Sequence, residues 1–197
     1  NISAGPPDEA GQTLTFQVIN NSNPSLFASL PGISPTGTVT YTSAPNANGS
    51  AMITVVLKDN GGVVNGGHDT SKSQTFVITV DPVNDAPVNA MPGQQSVIEN
   101  SALVLSALNF NRISISDVDA GNAVVQTALT VNNGVLTLSR TSGLTFIDGT
   151  GTSDSAMTFR GTIANINAAL DGMVYTPNKG FSGPVTLQLI TNDLGAS

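Results

Sequence analysis

The feature that most constrains this fold is a long internal repeat, because residues 41–61 resemble residues 175–195 without a gap. The offset is constant at 134 residues (175 − 41). Identical residues at matched positions include Tyr41 and Tyr175, Thr42 and Thr176, Gly49 and Gly183, Asp59 and Asp193, and Gly61 and Gly195. Apolar positions also match, as in Ile53 with Leu187. A pattern that occurs twice predicts two copies of one domain.

A proline-rich segment separates the two copies. Pro82 and Pro87 fix their own φ angles and disfavour helical conformations at the preceding residues, so the segment is expected to be a short, stiff spacer. We therefore predict a first domain at residues 1–82, a hinge at 83–87 and a second domain at 88–197.

Alternating apolar residues predict short strands throughout the chain. The clearest lie near residues 14–18, 39–41, 51–57, 74–80, 103–105 and 157–159. The segment from Ala128 to Leu138 predicts a hairpin, with Asn133 and Gly134 at a tight turn. Residues 162–170 have helical periodicity, with Thr162 as the N-cap and Gly172 beyond the end. The sequence thus predicts an all-β chain of two tandem β-sandwich domains, the second with one short helix.

The two copies do not begin and end at equivalent positions. Residues 88–112 have no counterpart before Ile2, and the strand at 74–80 has no counterpart after Ser197. We therefore expect the first domain to lack its N-terminal strand and the second its C-terminal strand. Exposed sheet edges recruit strands, so self-association of this fragment is expected, with Gln95 to Leu108 as a donor for strand exchange.

Composition excludes several classes of function. Thirteen acidic and six basic residues give a net charge of −7, which argues against binding nucleic acid and favours cations as ligands. The absence of cysteine excludes disulfides and thiolate metal sites. No stretch approaches the roughly 18 apolar residues that a membrane span needs, so direct membrane insertion is not expected.

Hard oxygen ligands cluster around the hinge. Asn84 and Asp85 lie within it, Asp81 lies just before it, and Asp117 and Asp119 form an Asp-x-Asp loop further along the chain. Such side chains suit a calcium ion, which would also relieve the repulsion between neighbouring carboxylates. The alternative is that the hinge residues make only turn and capping hydrogen bonds.

Three segments of the chain resemble the calcium motifs of cadherins. They are Ile98-Glu99-Asn100, Asp117-Val118-Asp119-Ala120-Gly121 and Pro82-Val83-Asn84-Asp85-Ala86-Pro87. In its looser form the last is similar to cadherin-like or immunoglobulin-like tandem repeats of large bacterial outer-membrane adhesins. Further runs carry the same resemblance over nearly the whole chain: Ile166 to Leu170, Tyr175-Thr176-Pro177, Phe181-Ser182-Gly183 and Asn192 to Gly195.

The resemblance implies immunoglobulin-like or cadherin-like β-sandwiches and a bound calcium ion. Asn84 and Asp85 would be linker ligands, Asp117 and Asp119 would reach them from the second domain, and Glu99 would face the far pole. The implied function is a non-enzymatic spacer or adhesion repeat of an extracellular, cell-surface protein. Its partners would be neighbouring repeats of the same parent chain and a host or cell-surface protein or glycan. The alternative is a carbohydrate- or protein-binding module on the same scaffold.

No constellation predicts catalysis or a bound organic cofactor. His68 is the sole histidine and lies in a polar loop without a Gly-x-Ser-x-Gly partner. Asp148 and Asp154 are close in sequence, but the residues between them read as a surface loop. Tyr41 and Tyr175 occupy matched positions and are predicted to be core or corner residues.

Overall fold

The computed structural model describes residues 2–195, and the chain divides into two compact units, Asn1–Val83 and Asn84–Ser197. The division falls between Val83 and Asn84, inside the proline-rich segment. Strands make up most of the regular structure, so the prediction of an all-β fold is confirmed. Each unit has its own hydrophobic core and is described separately.

Unit 1 is built from short antiparallel strands. Those described are β1 (Thr15–Asn21), β2 (Phe27–Ile33), β3 (Val39–Ser43), β4 (Gly49–Lys58) and β5 (Gln74–Val80). Short 3-10 helices occur at Pro7–Glu9, Pro24–Leu26 and Val64–Gly66. One sheet has the order β1-β4-β5, and β2 pairs with β3. Its core is small, because only six hydrophobic residues form the buried cluster, among them Leu26, Ile53 and Ile78.

Unit 2 has more strands and one α-helix. The described elements are β6 (Val88–Ala90), β7 (Leu103–Leu105), β8 (Ser114–Ser116), β9 (Val124–Val131), β10 (Gly134–Thr137), β11 (Thr145–Asp148), β12 (Ala156–Thr162), α1 (Ile163–Leu170), β13 (Met173–Pro177) and β14 (Leu187–Asn192). The sheets have the orders β11-β12-β9-β14, β10-β13-β7 and β6-β8. The core draws on both larger sheets and on α1, with Leu129, Phe159, Ile166 and Met173 fully buried.

The helix forms where the sequence predicts it. The Thr162 hydroxyl oxygen accepts a hydrogen bond of 3.3 Å from the backbone N–H of Asn165, which satisfies a donor in the first turn. Gly172 follows the helix with φ = 93°, a conformation that glycine adopts without strain. Both helix signals are therefore confirmed.

The predicted hairpin from Ala128 to Leu138 is wrong. β9 and β10 lie in different sheets, because β12 and β14 occupy both edges of β9 and leave no place for β10. The positive φ of the connection falls on Asn133, at 55°, and not on Gly134. Gly134 is needed for space, since a Cβ atom there would overlap the ring of Tyr175 and lie 2.6 Å from the carbonyl oxygen of Thr176.

The matched tyrosines differ in burial. Tyr175 is 5% exposed and its hydroxyl donates to the carbonyl of Asn133, whereas Tyr41 is 45% exposed with its ring edge-on to Phe27. The core alternative is confirmed for Tyr175, whereas Tyr41 is not a core residue and only the corner alternative remains for it. The reason is that β13 pairs with both β10 and β7, whereas among the described residues its equivalent β3 pairs only with β2.

The segment from Gln95 to Leu108 is not the free donor that the sequence suggested. Leu103–Leu105 forms β7 and pairs with β13, and Leu105 belongs to the buried core. Gln95 accepts a hydrogen bond of 3.1 Å from the side chain of Asn111. Releasing this segment would therefore break a strand pair and expose core residues.

An asparagine side chain forms hydrogen bonds with the backbone at the unpaired edge of β8. Asn167 in α1 accepts from the backbone N–H of Ile115 at 2.7 Å and donates to its carbonyl oxygen at 2.8 Å. These two bonds reproduce the pairing that a further strand would supply, and they fasten α1 to β8.

Replacing Asn167 with alanine should lower the free energy of unfolding of unit 2 by about 1–3 kcal/mol, because Ile115 loses both backbone partners. The measurement is urea denaturation followed by circular dichroism. Asn165→Ala is the matched control in the same helix, since its side chain donates only a 3.4 Å hydrogen bond. Equal losses in the two variants would contradict a special role for Asn167.

Candidate functional site

Polar side chains from three parts of unit 2 meet at one end of the unit. Asn84 and Asp85 precede β6, Asp117 and Asp119 follow β8, and Asp193 follows β14. β6 and β8 are antiparallel, with Val88 opposite Ser116, so the start of one strand lies beside the end of the other. We call these five residues the Asp cluster.

The Asp-x-Asp loop is held by its own backbone. The Oδ1 atom of Asp117 accepts from the backbone N–H groups of Asp119 and Ala120 at 3.1 and 3.0 Å. The Oδ2 atom of Asp119 accepts from the backbone N–H of Asp85 at 2.8 Å. The residues before β6 are thus tied to the loop after β8. Asp85 contributes its N–H group to these bonds, and its side chain is exposed.

Two carboxylate oxygens of this loop are buried without a donor. Asp117 Oδ2 and Asp119 Oδ1 are inaccessible to solvent and receive no hydrogen bond when both groups are ionised. A buried acceptor without a partner is costly, and more so when it carries charge. The loop therefore favours a proton or a cation at these oxygens.

The pKa values of the pair shift in opposite directions. A hydrogen bond to Asp117 raises the pKa of Asp119, with the N–H of Asp85 acting against it. Burial acts to raise the pKa of Asp117, but hydrogen bonds from the Asp119 carboxyl and from the backbone of Ala120 and Asp119 outweigh burial and lower it. Asp119 therefore holds a proton more tightly than Asp117 does.

Asp193 joins the Asp cluster through Asn84. The side-chain amide of Asn84 donates to Asp193 Oδ2 at 2.7 Å, and Asp193 is only 8% exposed. Its other oxygen accepts from the N–H of Gly195 at 3.0 Å, and Asp59 accepts in the same way from Gly61 at 2.8 Å. Both aspartates therefore form Asx turns at matched positions of the repeat. The repeat signalled the turn, but no sequence signal linked Asp193 to Asn84.

The donor set of the Asp cluster fits a hard cation. Carboxylate and amide oxygens are the ligands that calcium prefers, and two carboxylate oxygens are available. Within residues 2–195 no group of three or more His, Cys, Asp or Glu side chains is arranged to hold a metal ion. A calcium ion would therefore use Asp117 and Asp119, with amide, backbone and water oxygens completing a sphere of about six to eight ligands.

The other two predicted ligands lie outside the Asp cluster. Asp81 belongs to unit 1, directly after β5, and its side chain is exposed. Glu99 lies at the opposite end of unit 2, where its Oε1 atom accepts from the side chain of Asn100, whose own oxygen accepts from the N–H of Gly180. The end of β13 and the start of β7 lie at this end of the unit.

The residues considered for catalysis either are exposed or stabilise a turn. His68 is exposed in a loop. The Oδ2 atom of Asp154 accepts from the backbone N–H groups of Thr150, Gly151 and Thr152 at 2.8, 2.7 and 3.1 Å. Asp154 therefore holds a tight turn, and the pairing with Asp148 considered from sequence finds no support in these contacts.

Comparisons of the chain with protein-family models, curated proteins and solved structures find no match. In the part of the chain that the structure describes, no helix has the length and apolar character needed to cross a membrane.

Proposed function

We propose that this chain is a pair of non-enzymatic spacer or adhesion repeats from a large extracellular bacterial adhesin, with each unit an immunoglobulin-like or cadherin-like β-sandwich. The internal repeat, the all-β architecture and the resemblance of the linker and Asp-x-Asp motifs support this proposal. Its partners would be neighbouring repeats of the parent chain and a protein or glycan at a cell surface.

Calcium is the proposed cofactor, and the observation that supports it most is the pair of buried oxygens on Asp117 and Asp119. A divalent cation would satisfy both oxygens and remove the repulsion between the two carboxylates. Since Asp119 also accepts from the N–H of Asp85, the ion would fasten the segment before β6 to unit 2. That segment follows Pro82 directly, so calcium would stiffen the chain where it enters the unit.

Titration calorimetry tests the cofactor. We expect calcium to bind with a Kd of about 0.1–1 mM, as in weak extracellular sites, and magnesium to bind less well because it demands stricter geometry. At 10 mM calcium the Tm of unit 2 should rise by about 5–15 °C. Asp119→Asn should abolish this rise, while its calcium-free Tm should exceed that of the original chain because a like charge is removed.

Asp148→Asn is the matched control, since Asp148 is exposed in β11 and outside the Asp cluster. It should keep the full calcium response. No heat at 10 mM calcium, or an unchanged response in Asp119→Asn, would contradict the calcium site and leave the spacer function standing. A glycan array separates the two roles, because a spacer should retain no sugar whereas a repeat that adheres to a glycan should retain one.

A further inference from the structure

A surface groove of about 380 Å³ lies between β8 and α1. Among the described residues β8 pairs only with β6, and α1 lies along its other side, where Asn167 bonds Ile115. The polar and charged side chains in the walls of the groove are Arg112, Ser114, Ser116, Asn167 and Asp171. The groove shares no residue with the Asp cluster.

The backbone at one end of the groove lacks hydrogen-bond partners. Ile115 directs its N–H and C=O groups toward α1, where Asn167 bonds both. Ile113 and Ile115 both belong to the core, so the chain between them is extended and the polar groups of Ile113 point to the same side. Neither group has a hydrogen-bond partner among the described residues, although Ile113 is only 1% exposed. Buried backbone groups are almost always paired, so this position favours a polar partner from outside the chain.

The helix supplies no side chain to Ile113. Asp171 follows Asn167 by one helical turn, but its Oδ1 atom accepts from the backbone N–H of Ala107 at 2.7 Å. Arg112 lies in the same groove, yet no salt bridge joins it to Asp171 within residues 2–195. Two opposite charges that share a groove without pairing can both contact a ligand.

An exposed aromatic ring lies next to the groove in sequence. Phe110 precedes Arg112 by two residues, in the loop between β7 and β8, and is 97% exposed. Its φ angle is 58°, a left-handed conformation that glycine adopts with less strain. The ring neither fills the core nor suits the turn, which favours a function at the surface.

The loop that carries Phe110 is held firmly. Asn111 is buried, and its side chain donates to the carbonyl of Val104 at 3.2 Å and accepts from the N–H of Ser106 at 2.9 Å. The bond between Ala107 and Asp171 ties the loop to the wall of the groove. A ligand that contacts the loop would therefore lose little affinity to the ordering of its backbone.

We propose that this groove binds a neutral sugar of a cell-surface glycan. Adjacent sugar hydroxyls offer a donor and an acceptor side by side, as the amide of Asn167 does, and would bond the C=O and N–H groups of Ile113. Arg112 and Asp171 would contact further hydroxyls, and the ring of Phe110 would cover the apolar face of the sugar. A net charge of −7 disfavours acidic sugars. The proposal rests on the adhesion role proposed above and gives that role a ligand class and a site.

A printed array of neutral oligosaccharides, built from hexoses, deoxyhexoses and N-acetylhexosamines, tests this proposal with the full chain. We expect at least one glycan to be retained. Phe110→Ala should weaken retention by at least about fivefold, because the stacking surface is lost. Leu108→Ala is the matched control, since Leu108 is 86% exposed in the same loop but has no aromatic face, and it should retain the glycan normally.

Arg112→Ala should weaken retention by at least about tenfold, because charge-assisted hydrogen bonds to the sugar are lost. Its matched control is Arg140→Ala, since Arg140 is also exposed and lies outside the groove. In NMR spectra of the original chain, the soluble form of the retained glycan should slow hydrogen exchange at the amide of Ile113. The amide of Ile115 should not change, because Asn167 already bonds it.

Retention of no neutral glycan would overturn the sugar site and leave the spacer role and the calcium site standing. If a glycan is retained but Phe110→Ala and Arg112→Ala both bind it normally, the adhesion role stands and this groove is not its site. Unchanged exchange at Ile113 in the presence of the retained glycan would also overturn the proposal. This last measurement needs no variant, so it decides even if a substitution impairs folding.

Discussion

Replacing Phe159 with alanine should lower the free energy of unfolding of unit 2 by about 3–5 kcal/mol. Phe159 lies in β12 and is fully buried at the centre of the larger core, with its ring centroid 5.5 Å from that of Phe146. β12 pairs on both sides, with β9 and β11, so the backbone has little freedom to close the cavity. The loss should therefore include both the transfer free energy of the aromatic ring and the cost of the cavity that it leaves.

Phe110→Ala is the matched control for this prediction. Its ring is 97% exposed, so the same substitution should change stability by less than about 0.5 kcal/mol. Urea denaturation, followed by circular dichroism, measures both variants. The transition of unit 1 should not move in either variant, because Phe159 belongs only to the core of unit 2. Equal losses for Phe110 and Phe159 would contradict the placement of the core.

Strands with a clear two-residue period were predictable from sequence. β5 occupies Gln74–Val80, and β4 contains the alternating run from Ala51 to Leu57, because apolar residues at every second position face the core. β2 was missed, since Pro31 and Gly32 interrupt its pattern and its pairing with β3 shifts register twice. Local sequence identifies regular strands but not those that bend.

Pairing between strands was less predictable than the strands themselves. Asn133 and Gly134 carry a strong hairpin signal, yet β9 and β10 separate into two sheets because distant strands occupy both edges of β9. The Asn-Gly signal indicates a turn. A turn can join two strands of the same sheet or strands of two different sheets. Tyr41 shows the same limit, because its burial depends on a neighbour of β3 that sequence repetition alone does not supply.

The candidate site was predictable where short motifs specify it. Asp117 and Asp119 were found from their spacing, and their hydrogen bonds follow from the loop that this spacing creates. The Asx turn of Asp193 is local, but its contact with Asn84 spans 109 residues and depends on the positions of β6 and β14. Contacts of that kind arise from the fold and leave no local signal.

The largest effect in unit 1 should come from Ile53→Ala, with a loss of about 2–5 kcal/mol in the free energy of unfolding. Ile53 is fully buried in β4 between β1 and β5, and the surrounding core contains few other large side chains. Its equivalent Leu187 is only partly buried, because it lines a cleft of about 710 Å³ whose walls also include Leu105 and Ile113. Leu187→Ala should therefore cost about 1–2 kcal/mol.

Urea denaturation of the two variants measures this difference, with Ile190→Ala as an exposed control on β14 that should change stability by less than about 0.5 kcal/mol. Equal losses for Ile53 and Leu187 would contradict the difference in burial between these two equivalent positions.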